Sequence, residues 1–289
     1  MKPSAAARRR SASERTRRRI TLWFACALLL FGACSGAWQA HSQSQYDRDI
    51  EESTRAIGAA RDDARRVQGH AARGRAYSEK ARYSRSFKLI SPEESGRLFD
   101  LAVKDYDQAV ALSPGDTQLY LSRGRTHYDR AALEDGADPR AKALFDLAKA
   151  DFTRAIEKDG RNAQAFDMRG LVYTQAGEND QAISDFTQEM KIDPRLGALR
   201  LAEAHCQRGS ALQRANKYDP AIADYERAME FGPPADGCEC QPESPLAWLY
   251  LETGQYDKSW EIVHKAQGSG RWIAPEVLDQ LKKASGRDR

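Results

Sequence analysis

The fold is decided by the stretch Ala163-Gln164-Ala165-Phe166-Asp167-Met168-Arg169-Gly170-Leu171-Val172-Tyr173, which is followed by Gly177, Ala182, Phe186 and Pro194. Apolar residues recur at helical spacing on both sides of a turn, which predicts two antiparallel helices. Small side chains at Gly170 and Ala182 would let these helices approach closely, with Phe186 filling the space beside them. Pro194 would end the second helix. The stretch therefore predicts a helix–turn–helix unit.

Two short motifs of this unit occur four times in the chain. Each copy has an Arg-Gly pair and, after a variable gap, the motif Ala-x-x-Asp-(Tyr/Phe). The pairs are Arg73-Gly74, Arg123-Gly124, Arg169-Gly170 and Arg208-Gly209, and the second motifs begin at Ala102, Ala148, Ala182 and Ala221. Self-similarity at a period of tens of residues indicates an array of similar structural units.

This unit resembles the tetratricopeptide repeat (TPR), a helix–turn–helix of about 34 residues. The likeness rests on an aromatic, then Gly, Tyr, Ala, an aromatic and a final Pro, as in the stretch above. It implies an all-α fold: a right-handed α-α superhelix, or TPR solenoid, of about five helix–turn–helix repeats with a C-terminal capping helix. The chain looks like a bacterial exported or membrane-anchored member of this family.

The predicted divisions follow the repeats. They are an N-terminal signal or anchor segment (1–40), a tether and leading helix (41–66), five repeats (67–116, 117–162, 163–201, 202–239 and 240–273, the last degenerate), and a capping helix with tail (274–289). The first two repeats are longer than the others. Ser91-Pro92-Glu93-Glu94 is a capping box, and Asp138-Pro139 is a similar start signal, so the second helix of each should begin early.

The N-terminus is expected to direct the chain out of the cytoplasm. Eight Lys and Arg precede an uncharged, largely apolar segment from Ile20 to Ala40. Three fates remain open: acylation of Cys34 as in bacterial lipoproteins, retention as an uncleaved anchor, and cleavage before Trp38 with free secretion. The first two would leave the chain tethered to the membrane and facing the periplasm or another extracytoplasmic space.

Charge argues against nucleic acid as a partner. The whole chain has a formal net charge of +3, but residues 34–289 hold 37 basic and 41 acidic side chains. A mildly acidic body lacks the basic surface that nucleic-acid binding needs.

The Arg and Asp of the repeated motifs are expected to form structural ion pairs across the two helices of each unit. The pairs are Arg73–Asp105, Arg123–Asp151, Arg169–Asp185 and Arg208–Asp224. In the fifth unit Leu246 and Ile262 occupy the two positions, so both charges vanish together. Joint replacement is what a buried pair requires, because one charge alone would be uncompensated. A rival interpretation makes the four arginines a ladder for an acidic ligand.

No catalytic site, metal site or cofactor site is predicted. The chain has no visible nucleophile–base–acid set and no Gly-rich phosphate loop. His70, His127 and His205 occupy core positions of their repeats. Glu189 stands where the family has Ala, which implies looser packing there. Cys206, Cys238 and Cys240 allow a disulfide from Cys206 to either of the others, free thiols, or a Cys/His metal site.

The resemblance implies a concave groove lined by the first helix of each repeat, where a partner would bind. The groove positions carried over are Gln118, Leu121, Arg125, Tyr128, Gln164, Asp167, Leu171, Thr174, Glu203, Ser210, Gln213 and Arg214. The expected function is a non-enzymatic protein-interaction scaffold or adaptor of the cell envelope that binds a peptide or protein. The alternative is a non-catalytic accessory subunit or a module for a small ligand such as a cell-wall fragment.

Overall fold

A computed structural model of the chain describes residues 44–134, 138–231 and 241–287. These residues form twelve α-helices and no strand, so the predicted all-α fold class is confirmed. The predicted signal or anchor segment, the lipidation candidate Cys34, and Cys238 and Cys240 lie outside the described residues. Within the described ranges, no helix is long and apolar enough to cross a membrane.

The chain divides into two compact units, residues 1–105 and 106–289. In the first, α1 (44–59) and α2 (Asp63–Ser86) precede the start of α3 (Pro92–Leu112). One of the two bonds of the predicted capping box is present, since the backbone N–H of Glu94 donates to Ser91 Oγ at 3.2 Å. The helices are long, with 24 residues in α2 and 21 in α3. The α2 helix begins before the predicted repeat boundary at residue 67.

The second unit continues as a series of helix pairs, in which each helix packs against the next. Its helices are α4 (Thr117–Ala131), α5 (Pro139–Lys158), α6 (Ala163–Gln175), α7 (Asn179–Ile192), α8 (Pro194–Arg214), α9 (Tyr218–Glu230), α10 (Glu243–Glu252), α11 (Tyr256–Gly268) and α12 (Pro275–Ser285). Among the first helices, α6 also contacts both α4 and α8 directly. They therefore lie side by side in this unit.

A glycine facing an aromatic ring is the packing element of the α4–α5 and α6–α7 pairs. A Cβ added at Gly170 would lie 2.4 Å from Cε1 of Phe186, and one at Gly124 would lie 2.8 Å from Cε1 of Phe152. Both rings are almost fully buried. Only glycine permits this approach, which explains why the Arg-Gly pair recurs with the second motif.

The structure differs from the predicted boundary between residues 201 and 202, which falls inside α8. This helix already begins at Pro194, because proline is well tolerated in the first turn, where its missing N–H has no helical partner. It is also held tightly to α7. A Cβ added at Gly197 would lie 2.4 Å from Cα of Met190.

The last helix, α12, packs as the sequence predicts for a cap. Val277 and Leu281 are buried in one cluster with residues of α10 and α11. Trp260 Nε1 donates to Ser285 Oγ at 3.0 Å, which fastens the end of α12 to α11.

Candidate functional site

The four repeated arginines are held inside the fold. Each donates from Nε and Nη2 to the two carboxylate oxygens of the expected aspartate, over 2.7–2.9 Å. The aspartate side chains are only 4–6% exposed. These hydrogen bonds raise the pKa of the arginines above the ordinary value. The geometry fits the structural ion pairs. Because Nε and Nη2 of each arginine already bond an aspartate, it does not favour the rival interpretation of a ladder for an acidic ligand.

Each arginine also reaches the preceding helix through its third nitrogen, Nη1. Arg73 donates to Thr54 at 3.1 Å, Arg123 to Asp107 at 2.7 Å and Arg169 to Thr153 at 3.1 Å, while Arg208 donates to Asp180. One guanidinium therefore connects both helices of its own pair with the helix before it. The sequence does not predict this second bond, from each arginine to the preceding helix.

Two of the histidines join the same network. His70 Nδ1 lies 2.8 Å from Asp105 Oδ1, and His205 Nδ1 lies 2.9 Å from Asp224 Oδ1. Burial by itself would raise the pKa of Asp224, but hydrogen bonds from Arg208 and His205 outweigh it and hold the pKa below its ordinary value. These histidines therefore act within the ion-pair network, in addition to filling core positions.

The predicted groove positions fall into three groups. Gln118, Arg125, Gln164 and Arg214 are exposed; Tyr128, Asp167, Leu171, Thr174, Glu203, Ser210 and Gln213 are partly buried. The prediction for Leu121 is wrong, because this side chain is 4% exposed and packs in the core cluster that contains Phe152. Gln213 is engaged within its own repeat, where its Oε1 accepts a hydrogen bond from Tyr225 at 3.1 Å.

A polar cluster bridges two of the adjacent first helices. Arg200 of α8 donates from Nε to Asp167 of α6 at 2.8 Å, and from Nη1 to Glu203 at 3.3 Å. Tyr128 of α4 is partly buried beside these groups, and burial raises the pKa of its phenol. Arg200 is not among the predicted site residues, because the predicted boundary at residue 201 placed it at the end of the preceding repeat.

Glu189 of α7 has a fully buried side chain that senses the charges of Asp167 and Arg200. Neither carboxylate oxygen has a hydrogen-bond partner among the described residues. Burial, and next the charge of Asp167, raise the pKa of Glu189 to about 7, while Arg200 opposes that shift. The side chain is fully enclosed, and the expectation of looser packing at this position stays a prediction.

A concave region lies beside α5. It is a depression of about 800 Å³, lined by residues that include Tyr120, Lys149, Arg154, Lys158 and Tyr173. Lys158 Nζ and the Arg154 guanidinium lie 5.6 and 5.9 Å from the centre of the Tyr120 ring. Its lining also contains Asp146 and Glu157, so charges of both signs face it.

Cys206 is disulfide-bonded in the structure. Because Cys238 and Cys240 lie outside the described residues, the choice between them as its partner stays a prediction. Across residues 44–134, 138–231 and 241–287, no group of three or more His, Cys, Asp or Glu side chains is placed to hold a metal ion.

Comparison with known proteins supports the repeat assignment. A family model described as the tetratricopeptide repeat matches residues 202–231. No protein of curated function matches the chain.

Among solved structures, MamA is 17% identical, with 68% of this chain and 99% of that chain covered and a TM-score of 0.41. A thermophilic TPR protein of Thermus thermophilus is 20% identical, with coverage of 68% and 88% and a TM-score of 0.38. YrrB, described as a TPR protein with an unusual peptide-binding site, is 16% identical, with coverage of 73% and 86% and a TM-score of 0.40. The family match at residues 202–231, which lie in α8 and α9, supports the tetratricopeptide-repeat assignment of that unit.

Proposed function

We propose that this chain is a protein-interaction scaffold of the cell envelope that holds a peptide or protein partner along α4, α6 and α8. Tetratricopeptide-repeat proteins are in general protein-interaction scaffolds and not catalysts. The envelope location rests on the N-terminal sequence, in which basic residues precede a long uncharged segment.

The observation that carries the groove proposal is the row of polar side chains on adjacent first helices. Gln118 and Arg125 of α4 and Gln164 of α6 are exposed, while the Asp167–Arg200 bond fixes α6 against α8 beside them. Such a surface offers several hydrogen-bond donors and acceptors to a partner. The four repeated arginines, in contrast, already form their hydrogen bonds within the fold. A rigid polar row suits an extended peptide better than a small apolar ligand.

Site-directed photo-crosslinking tests the proposal. Full-length protein would carry p-benzoylphenylalanine in place of Gln164 or Arg125 and be irradiated in envelope preparations. The matched control replaces Leu147 of α5, an exposed leucine on a second helix of the same unit. We expect one protein to be captured from positions 125 and 164, with capture competed by peptides of that protein. Equal capture from position 147 would refute the groove.

The same preparation tests the alternative function. The depression beside α5 combines cationic and aromatic side chains, a combination found in sites for small polar ligands. A glycan fragment that co-purifies with the chain and is lost on Arg154→Ala would support the small-ligand module. Arg214→Ala is a suitable control, because this exposed arginine lies on α8 and does not line the depression.

A further inference from the structure

The turn between α2 and α3 presents apolar side chains to solvent. Phe87 is 44% exposed and Leu89 is 39% exposed. The turn is nevertheless well ordered by its backbone, since the N–H of Leu89 donates to Ser84 O at 2.8 Å and that of Phe87 to Tyr83 O at 3.2 Å. Lys88 between them has a φ of 53°, a left-handed conformation that glycine usually occupies. The fold thus holds two apolar residues and a lysine outward in a defined geometry.

An aromatic stack connects this turn with the start of α1. The ring centres of Phe87 and Tyr83 lie 4.8 Å apart, and those of Tyr83 and Tyr46 lie 5.7 Å apart. Tyr46 is the third residue of the described chain. We name the group formed by Tyr46, Tyr83, Arg85, Phe87, Lys88 and Leu89 the basic-aromatic tip. It lies within the first unit, at the end of α1 that follows the N-terminal segment.

The segment that forms the turn is basic, with the acidic residues Glu79, Glu93 and Glu94 on either side of it. Residues 80–92 contain Lys80, Arg82, Arg85 and Lys88 and no Asp or Glu. Lys80 is paired with Asp47 at 2.6 Å, and both Arg85 and Lys88 are exposed. Exposed aromatic and aliphatic groups next to basic ones are the combination that favours the interface of an anionic bilayer. Tyrosine rings prefer the headgroup level there, and each Lys or Arg near the surface contributes about 1 kcal/mol.

Only a short stretch of chain separates the tip from the proposed tether. The uncharged N-terminal segment ends at Ala40, and Tyr46 follows six residues later. Even a fully extended chain of that length spans only about 20 Å. If the segment inserts into the bilayer, the tip cannot be far from the headgroups, and the local lipid concentration that it meets is high.

We propose that the basic-aromatic tip docks on the anionic phospholipid surface of the membrane that tethers the chain. This inference rests on the proposed membrane tether. Phe87 and Leu89 would enter the headgroup region, with Arg85 and Lys88 beside lipid phosphates. Docking would hold the first unit against the membrane in one orientation, where a tether alone would leave it free to rotate.

Lipid photo-crosslinking on the full chain tests the inference. The protein would be reconstituted in phosphatidylcholine vesicles with or without phosphatidylglycerol, with p-benzoylphenylalanine in place of Phe87. The control places the same group at Leu147, which is 51% exposed and lies in α5. We expect lipid adducts at position 87 and few at position 147. The Arg85→Glu/Lys88→Glu variant should lower the adduct yield roughly tenfold in anionic vesicles.

Flotation of the same vesicles tests the membrane tether separately from the docking of the tip. A chain that floats with the vesicles but forms no more lipid adduct at position 87 than at 147 keeps the tether and overturns the docking. Crosslinking of position 87 to another protein, or to a second copy of the chain, overturns it as well. A chain that does not float overturns both the tether and the docking. Lys88→Gly, which suits the left-handed backbone, checks that lost charge and not a lost turn explains the result.

Discussion

Arg169 and Asp185 are joined by two parallel hydrogen bonds of 2.7 Å, from Nε to Oδ2 and from Nη2 to Oδ1. The aspartate side chain is 6% exposed, and Nη1 of the same arginine reaches Thr153 of the preceding helix at 3.1 Å. Three helices, α5, α6 and α7, therefore meet at one guanidinium. A planar fork with five donors is suited to this role, which lysine could not fill.

Arg169→Leu should destabilise the fold by about 3–5 kcal/mol, because it leaves the buried carboxylate of Asp185 without its counterion. Adding Asp185→Ile should restore much of that loss. The fifth unit shows that the apolar pair is compatible with this packing, since Leu246 is buried there and Ile262 packs against the same cluster. Urea unfolding of the two single variants and the double variant measures the coupling free energy. Losses that simply add would show that the pair is not coupled.

Gly170→Ala should destabilise the protein by about 1–3 kcal/mol, because the new Cβ would lie 2.4 Å from a ring atom of Phe186 that has no room to retreat. The comparison is Gly58→Ala in α1, where nothing lies within 4 Å of the added Cβ. There, alanine should be neutral or stabilising by up to about 1 kcal/mol through its helix propensity. Thermal unfolding followed by circular dichroism distinguishes the two. An equal effect at both sites would mean that helix propensity, and not the ring contact, decides the outcome.

Peptide mapping of unreduced protein should find Cys206 linked to Cys238 or Cys240, which follow it by 32 and 34 positions. The structure records Cys206 as disulfide-bonded. Closing a loop of this size is worth roughly 3–4 kcal/mol, so Cys206→Ser should lower the unfolding free energy by about that amount under oxidising conditions and have little effect in excess reductant. Unmodified Cys206 in protein purified from the envelope would contradict the prediction.

Residue spacing was enough to predict the helix pairs, because Gly170 and Phe186 mark a contact that repeats along the chain. The Arg–Asp pairs could also be inferred, since both charges are absent together from the fifth unit. How deeply a side chain is buried, and where along the chain a helix begins, were harder to infer. Leu121 was placed in the groove by its position in the repeat, yet the packing of α4 buries it. Arg200 was missed because α8 extends back to Pro194, and the resulting bond to Asp167 joins residues 33 positions apart.

The environment of Glu189 could not be inferred from local sequence, because charges from other helices create it. It is fully buried in α7, its carboxyl group has no hydrogen-bond partner among the described residues, and its pKa is raised to about 7 by burial and by Asp167 of α6. Arg200 of α8 opposes the shift, and Asp193 at the end of α7 adds to it. These are the charged groups from the packed elements that set its titration.

Stability should therefore fall as the pH rises toward 7. The folded state holds the Glu189 proton up to about pH 7, whereas the unfolded chain releases it near its ordinary pKa of 4.5. The stabilisation is complete below about pH 4.5, is lost progressively between the two values, and is absent above the folded pKa. A shift of this size corresponds to at most about 3 kcal/mol.

Glu189→Met, which replaces the carboxyl group by an apolar one of similar volume, should be more stable than the natural protein at pH 8 by about 2–3 kcal/mol. The difference should shrink toward zero at about pH 5, where Glu189 is largely protonated in the folded state. Urea unfolding at a series of pH values measures both curves. Glu203→Gln is the matched control, because it removes another acid beside Arg200 that is only partly buried, and it should keep the decline between pH 5 and 7. If Glu189→Met shows the same decline as the natural protein, another group is responsible for it, and Glu189 carries no buried charge at neutral pH.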